Sequence, residues 1–268
     1  MEGAANVQSR KSFRLTLRLL ILGGATEASR LASALADEAG VAPLLSLAGA
    51  TKAPARAPIP QRVGGFGGAA GLAAFLRAEG IDAMIDATHP FAERMSANAC
   101  EATRATGTPL LVFTRPPWTK REGDRWREVA TMAEAATALG AARRCVFLTQ
   151  GRQQLAAFAA APQHRYVVRA IDPPAEIAAL PDCKLILARG PFSFEDERAL
   201  LRGEGVETLV TKNSGGAATY AKIEAARALG VEVAIVRRPP APDADTVFSL
   251  DEALAWVRAR RGGGEVRG

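Results

Sequence analysis

Short apolar runs alternate along the chain with longer segments whose apolar positions recur every three to four residues. The runs Leu17–Leu22, Pro43–Leu47, Ile81–Ala87, Pro109–Phe113 and Cys145–Leu148 carry almost no polar alternation, and neither do Tyr166–Ile171, Leu185–Ala188, Val206–Val210 and Val231–Val236. A strand covered on both faces has that pattern, so each run predicts a buried β-strand. Between them, Glu27–Glu38, Gly71–Glu79, Ala92–Thr106, Met132–Leu139, Gln153–Ala160, Phe194–Arg202 and Ala217–Leu229 predict helices. Strand–helix–strand alternation predicts an α/β fold with mainly parallel sheets. So many strands exceed one small sheet, and two Rossmann-like domains with a cleft between them are expected. Their expected spans are 14–140 and 141–262, with the joint near Gly140.

Composition adds limits. Of 268 residues, 48% are hydrophobic and 23% charged, which suits a chain with a real core rather than a disordered one. No apolar stretch approaches a membrane span, and Met1–Ser12 lacks the apolar centre of a secretory signal, so a cytoplasmic protein is expected. Cys100, Cys145 and Cys183 are scattered and only His89 and His164 supply imidazoles, so no metal site is expected. The net charge of +6 rests on dispersed cations without aromatic interleaving, which disfavours nucleic acid and leaves a polyanionic small ligand open.

The candidate chemistry sits where strands run into helices. Gly23-Gly24-Ala25-Thr26-Glu27 follows the first run and opens a helix, a position where backbone N–H groups can meet a pyrophosphate. Its spacing is not a full G-x-G-x-x-G. No carboxylate occurs between Glu38 and Glu79, where an NAD site usually places one for the ribose. Instead Ser46-Leu47-Ala48-Gly49-Ala50-Thr51-Lys52 ends the second run, with Arg56 and Arg62 beyond, a set of hydroxyls and cations that suits a 2′-phosphate and favours NADP over NAD. Gly64-Gly65-Phe66-Gly67-Gly68 precedes another helix, and Asp86-Ala87-Thr88-His89-Pro90-Phe91 ends a strand at the edge where open sheets bind ligands. In the second half, Thr149-Gln150-Gly151-Arg152, Arg189-Gly190-Pro191-Phe192 and Val210-Thr211-Lys212-Asn213-Ser214-Gly215-Gly216 occupy equivalent positions. The last is an anion-binding constellation and not a Walker A loop, because its lysine precedes the glycines.

Together with Arg115-Pro116-Pro117-Trp118 and Arg238-Pro239, these strings resemble the precorrin-6A reductase family of cobalamin biosynthesis, in order from Leu19 to Pro239. The resemblance implies two Rossmann-like domains with NADPH and a tetrapyrrole meeting in the cleft, and reduction of one double bond of precorrin-6A to give precorrin-6B. It implies cofactor contacts from Gly23, Gly24, Ala25, Thr26, Glu27, Gly49, Ala50, Thr51, Lys52, Arg56, Thr88 and His89. Ala50 stands where the family commonly has an arginine, so Lys52 or Arg56 must substitute toward the 2′-phosphate. Substrate contacts are expected from Gly151, Arg152, Arg189, Lys212, Asn213, Ser214, Gly215 and Gly216, since the macrocycle is ringed with carboxylates. Lys212 is either a carboxylate clamp or the proton donor, with His89, Tyr220 and Thr88 as further proton-delivery candidates. The cobalt-precorrin-6A reductases share these motifs, and a non-catalytic NADP(H)-sensing module is the alternative of another class.

Overall fold

In the computed structural model, residues 16–49, 56–149 and 152–261 are described. They divide into two compact units, one running to Arg115 and resuming at Ala241, the other spanning Pro116–Pro240.

The first unit holds β1 (Leu17–Leu22), α1 (Thr26–Ala34), β2 (Val41–Leu47), β3 (Gln61–Val63), α2 (Ala69–Ala78), β4 (Ala83–Asp86), α3 (Glu93–Thr106) and β5 (Leu110–Phe113). All its strand pairs are parallel. Alternate residues of β1 explain the unbroken apolar run. Leu19 and Ile21 pack with Leu31 and Leu35 on the α1 side, whereas Leu20 and Leu22 pack with Leu72 and Leu76 of α2 on the other.

The second unit holds β6 (Trp126–Val129), α4 (Met132–Ala138), β7 (Cys145–Leu148), β8 (Arg165–Ala170), β9 (Cys183–Leu187), α5 (Phe194–Gly203), β10 (Thr208–Lys212), α6 (Ala221–Leu229) and β11 (Glu232–Val236). The chain then returns to the first unit for β12 (Asp245–Val247) and α7 (Leu250–Arg261). The second sheet is also parallel throughout. Phe147, Val167, Leu209, Val233 and Ile235 pack with Leu201 of α5 and Ile223 and Ala226 of α6.

The expected joint near Gly140 is therefore corrected. β6, which precedes Gly140, hydrogen-bonds to β11 in the second sheet, and β12 and α7, placed in the second half by sequence, belong to the first. The two-sheet α/β architecture itself is as expected. β3, β6 and β12 are additions to the expected strands, as is α7 to the helices. The expected helix Gln153–Ala160 is instead a 3₁₀ helix, Arg152–Ala160. Its buried Leu155 and Phe158, with Ala161 next in the series, recur every three residues, and a three-residue turn keeps them on one face. Ala217–Thr219 lie outside α6, which starts after Tyr220, because Gly215 and Gly216 turn the chain at φ +69° and +73° first. Among the described residues no helix is long and apolar enough to cross a membrane.

The strand orders position the chemistry. In the first sheet, β12-β5-β4-β1-β2-β3, the chain moves to one side from β1 and to the other from β4. In the second, β6-β11-β10-β7-β8-β9, it diverges in the same way between β7 and β10. Loops at the carboxyl ends of two such strands part to opposite faces and leave a crevice where ligands of open α/β sheets bind.

Candidate active site

At the first sheet's reversal point, β1 runs into Gly23-Gly24 and β4 into Ala87-Thr88-His89. A Cβ on Gly23 would lie 2.7 Å from Leu45 Cδ1 and 2.9 Å from Leu47 Cδ2, so that glycine lets the turn lie against β2. Gly24 differs. Its φ of +138° demands glycine, yet among the described residues no atom lies within 4 Å of where a Cβ would be. α1 then starts at Thr26 behind an extended Ala25, with no side-chain cap on its first N–H groups. An open glycine and an uncapped helix N-terminus together fit a pyrophosphate. Glu27 in the first turn is buried and forms an ion pair with Arg115, so its carboxylate is neutralised within this unit.

The turn after β4 is organised by Asp86, which is buried. Its Oδ1 accepts from the Thr88 N–H (3.0 Å) and hydroxyl (2.7 Å), and its Oδ2 from the Ser96 hydroxyl (2.6 Å). The Thr88 hydroxyl thus already donates to Asp86. His89 Nδ1 accepts the Phe91 N–H at 3.2 Å, so the neutral ring carries its proton on Nε2. Gly49 adopts φ +79° just beyond β2, and Arg56 is exposed with no partner among the described residues. Ala50, Thr51 and Lys52 lie outside the described residues.

Arg62 in β3, one of the cations that the sequence sets beside a 2′-phosphate, is instead engaged within the chain. Its Nη1 donates to Ser46 Oγ (2.8 Å) and the Gly64 carbonyl (3.0 Å), and its Nη2 to the Gly65 carbonyl (3.3 Å). The guanidinium stacks 4.1 Å from the centre of the Phe66 ring.

In the second sheet Lys212 ends β10, which lies beside β7, and Thr149 just beyond β7 donates to the Thr211 hydroxyl (3.3 Å). Burial pushes the Lys212 ammonium below the ordinary lysine range. The residues after it build a scaffold. Asn213 accepts the Trp118 N–H on Oδ1 (2.8 Å) and donates from Nδ2 to the Trp118 carbonyl (2.9 Å). Trp118 Nε1 donates to the Gly216 carbonyl (2.7 Å), and Arg238 donates to the carbonyls of Asn213 (2.9 Å) and Ser214 (2.8 Å). Ser214 is buried, and a Cβ on Gly215 would collide with the Pro116 carbonyl oxygen and the Arg238 guanidinium. The side chain of Asn213 is thus committed to Trp118, and Gly215 to close packing; only Lys212 of this string offers an ionisable head.

Tyr220 stands at the N-cap of α6, where its hydroxyl accepts from Arg227 Nη2 (2.7 Å) and its ring packs on Trp118. Arg227 is in turn held by Asp124. That network gives Tyr220 a scaffold position. Arg189 is exposed beyond β9, without a partner among the described residues. Arg152 begins the 3₁₀ helix after β7, and Gly151 lies outside the described residues. Arg152 and Arg189 follow β7 and β9 at the carboxyl edge of the sheet, as Lys212 ends β10.

α1, α2, α3 and α6 have no side-chain N-cap, while α4 and α5 are capped by Thr131 and Ser193. No three His, Cys, Asp or Glu side chains gather as a metal set among the described residues.

Residues 18–258 match the family model described as "Precorrin-6x reductase CbiJ/CobK". The chain is 52% identical over 237 residues to a precorrin-6A reductase of Sinorhizobium sp, covering 88% of this chain and 91% of that one. A solved structure titled CobK precorrin-6A reductase superimposes with a TM-score of 0.86 at 48% identity, covering 91% of this chain and 97% of the other. A cobalt-precorrin-6A reductase of Priestia megaterium is 32% identical over 190 residues, 67% of this chain and 74% of that one. With 18–258 matched and these identities across nearly the whole fold, the chain belongs to the precorrin-6x reductase family, CbiJ/CobK.

Proposed function

We propose that this protein reduces one double bond of metal-free precorrin-6A with NADPH, giving precorrin-6B in cobalamin biosynthesis. The observation that carries this is topological: each unit places its motif residues at its own reversal point, Gly23-Gly24 and His89 in one, Lys212 and Arg152 in the other. Of the family's two substrate forms, the metal-free one is favoured by the 52% identity to a precorrin-6A reductase against 32% to a cobalt-precorrin-6A reductase.

In this reading the first unit holds the cofactor. Gly23, Gly24, Ala25 and Thr26 with the α1 N-terminus receive the pyrophosphate, for which the open space at Gly24 leaves room. Glu27 stays paired to Arg115 and fixes the start of α1. Gly49, Ala50 and Thr51 border the adenosine ribose, and Arg56 with Lys52 takes the 2′-phosphate. Thr88, anchored by Asp86, and His89 flank the nicotinamide. When bound, NADPH supplies the hydride that adds to an electrophilic ring carbon. The protein's part is orientation and a proton for the neighbouring atom.

The second unit holds the substrate. Arg152 and Arg189 pair with macrocycle carboxylates beside Gly151, and Asn213, Ser214, Gly215 and Gly216 form the turn that aims Lys212. Lys212 serves either as a carboxylate clamp or as the proton donor, and burial makes its ammonium a stronger acid than an ordinary lysine. His89 and Tyr220 are the weaker proton-delivery candidates. Tyr220 already accepts from Arg227.

The test is to mix protein, NADPH and metal-free precorrin-6A and to follow nicotinamide absorbance and the tetrapyrrole spectrum together. Loss of one NADPH per macrocycle reduced is expected. Turnover only with the cobalt-loaded macrocycle would replace the substrate, and NADPH binding without any turnover would indicate a sensor.

A further inference from the structure

The Gly64–Gly68 loop, between β3 and α2, has a construction that the pyrophosphate site does not explain. Gly64, Gly67 and Gly68 adopt φ of +131°, +79° and +96°, conformations that leave a side-chain-free strip of backbone. Such a strip has a large conformational entropy to lose and would not hold one shape unaided. Two fastenings hold it. At one end Arg62 ties Ser46 at the end of β2 to the Gly64 and Gly65 carbonyls, with its guanidinium on Phe66. At the other, the Phe66 carbonyl lies where a Cβ on Gly71 would fall, and the Phe66 ring packs edge-on against Phe75 of α2 at 5.1 Å.

The fastened loop nonetheless leaves room beside three of its glycines among the described residues. Gly65 has no positive φ and no atom within 4 Å of a built Cβ, and Gly67 and Gly68 are equally open. Among the described residues nothing requires Gly65 to lack a side chain. Its position explains the open strip. β3 is two strands from β1, about 10 Å at the usual strand spacing, on the side to which a dinucleotide anchored at Gly24 would extend its adenosine half.

We propose that Arg62 is a positioning residue for the cofactor, fixing Gly64–Gly68 as the wall against which the adenosine half of the dinucleotide packs. The inference rests on the reading that the first unit binds NADPH. It predicts that Arg62 acts on cofactor affinity through the loop rather than on the chemical step, and that its guanidinium does not read the 2′-phosphate itself.

The experiment measures NADPH and NADH affinity and steady-state constants for wild type, Arg62→Ala, Arg62→Lys and Gly65→Val. Arg62→Ala is expected to raise KM for NADPH and the Kd of both dinucleotides at least about tenfold, with kcat within about twofold. Arg62→Lys, which restores a cation but not the fork to three acceptors, is expected to recover only part of that loss. Gly65→Val, whose Cβ has no atom within 4 Å among the described residues, is expected to keep the wild-type melting temperature while losing affinity. Unchanged affinity in both Arg62→Ala and Gly65→Val, with wild type binding normally, would overturn the inference alone. Loss of NADPH binding with NADH binding intact would also overturn it, by showing direct contact with the phosphate. A wild type that binds neither dinucleotide would overturn the underlying reading.

Discussion

At the reversal point of the first unit, Gly24 stands at φ +138° with no atom within 4 Å of a built Cβ, whereas at that of the second, Gly215 is pressed between the Pro116 carbonyl and Arg238. Both are glycine turns between a parallel strand and a helix without a side-chain cap. The first is left open by the chain and the second is filled by it. An open turn has backbone donors to offer a ligand, while a filled turn offers only what it carries, here Lys212. In the proposed reading the same topology serves once as a receptor and once as a mount. The proposed roles follow that division, with cofactor affinity in the first turn and the ionisable head in the second.

The largest expected effect breaks the second turn's function without its structure. Lys212→Ala should lower kcat by roughly 10²- to 10⁴-fold if the lysine donates the proton. Lys212→Arg then decides between the two roles: restored turnover marks a carboxylate clamp, and a loss as deep as in Lys212→Ala marks a proton donor.

The glycines themselves sharpen the contrast next. Gly215→Ala adds a collision to an unfavourable φ of +69° and should destabilise the protein by about 3 kcal/mol or more in chemical denaturation. Gly24→Ala has open space and only the backbone cost, about 1–3 kcal/mol, and should lose more NADPH affinity than stability. Equal destabilisation by the two substitutions would remove the distinction between a filled and an open turn.

A pH series gives a smaller effect. The Lys212 ammonium is held below its ordinary value of 10.5 by burial. Between the lowered value and 10.5 the unfolded chain binds more protons there than the folded one, so this residue's contribution to stability rises with pH. A kcat that needs the ammonium should fall over an alkaline limb beginning below pH 10.5, and that limb should be absent from the residual activity of Lys212→Ala.

The smallest effect is a control away from both turns. Ser193 and Asp196 form a reciprocal capping box at the start of α5. Ser193→Ala should cost about 1 kcal/mol of stability and leave KM and kcat unchanged.

Most of the architecture was legible because the inner strands are buried on both faces. β1 matches its apolar run residue for residue, and β7 does likewise. What the sequence hid were β3, β6 and β12, Gln-Arg-Val, Trp-Arg-Glu-Val and Asp-Thr-Val, each at the end of a strand order. An edge strand has one neighbour and needs no apolar run; of the four edge strands only β9, with Leu185-Ile186-Leu187, carries one, and it alone was legible. The domain joint was misplaced for the same reason, since β6 and β12 are the strands that reveal where the chain crosses between sheets. α7 did carry a signal in Ser249-Leu-Asp-Glu252, whose hydroxyl and carboxylate cap the helix reciprocally.

The candidate site residues were legible as strand-end motifs, but the partners their side chains hold were not. Asn213 resembled an anion ligand by type, yet its amide is spent on the Trp118 backbone, 95 residues away in sequence. Tyr220 resembled a proton donor, yet it accepts from Arg227. Arg62 was visible only as a cation after β2. Its clasp on Ser46 and two glycine carbonyls depends on β2 and β3 being neighbours, which a missed edge strand conceals.

The most direct test of the receptor-and-mount account is calorimetric NADPH binding to Gly24→Val and Lys212→Ala, alongside turnover of precorrin-6A by each. The account predicts that Gly24→Val folds but loses NADPH binding, and that Lys212→Ala binds NADPH as wild type does while losing turnover. NADPH binding retained by Gly24→Val, or lost by Lys212→Ala in step with its turnover, would contradict it.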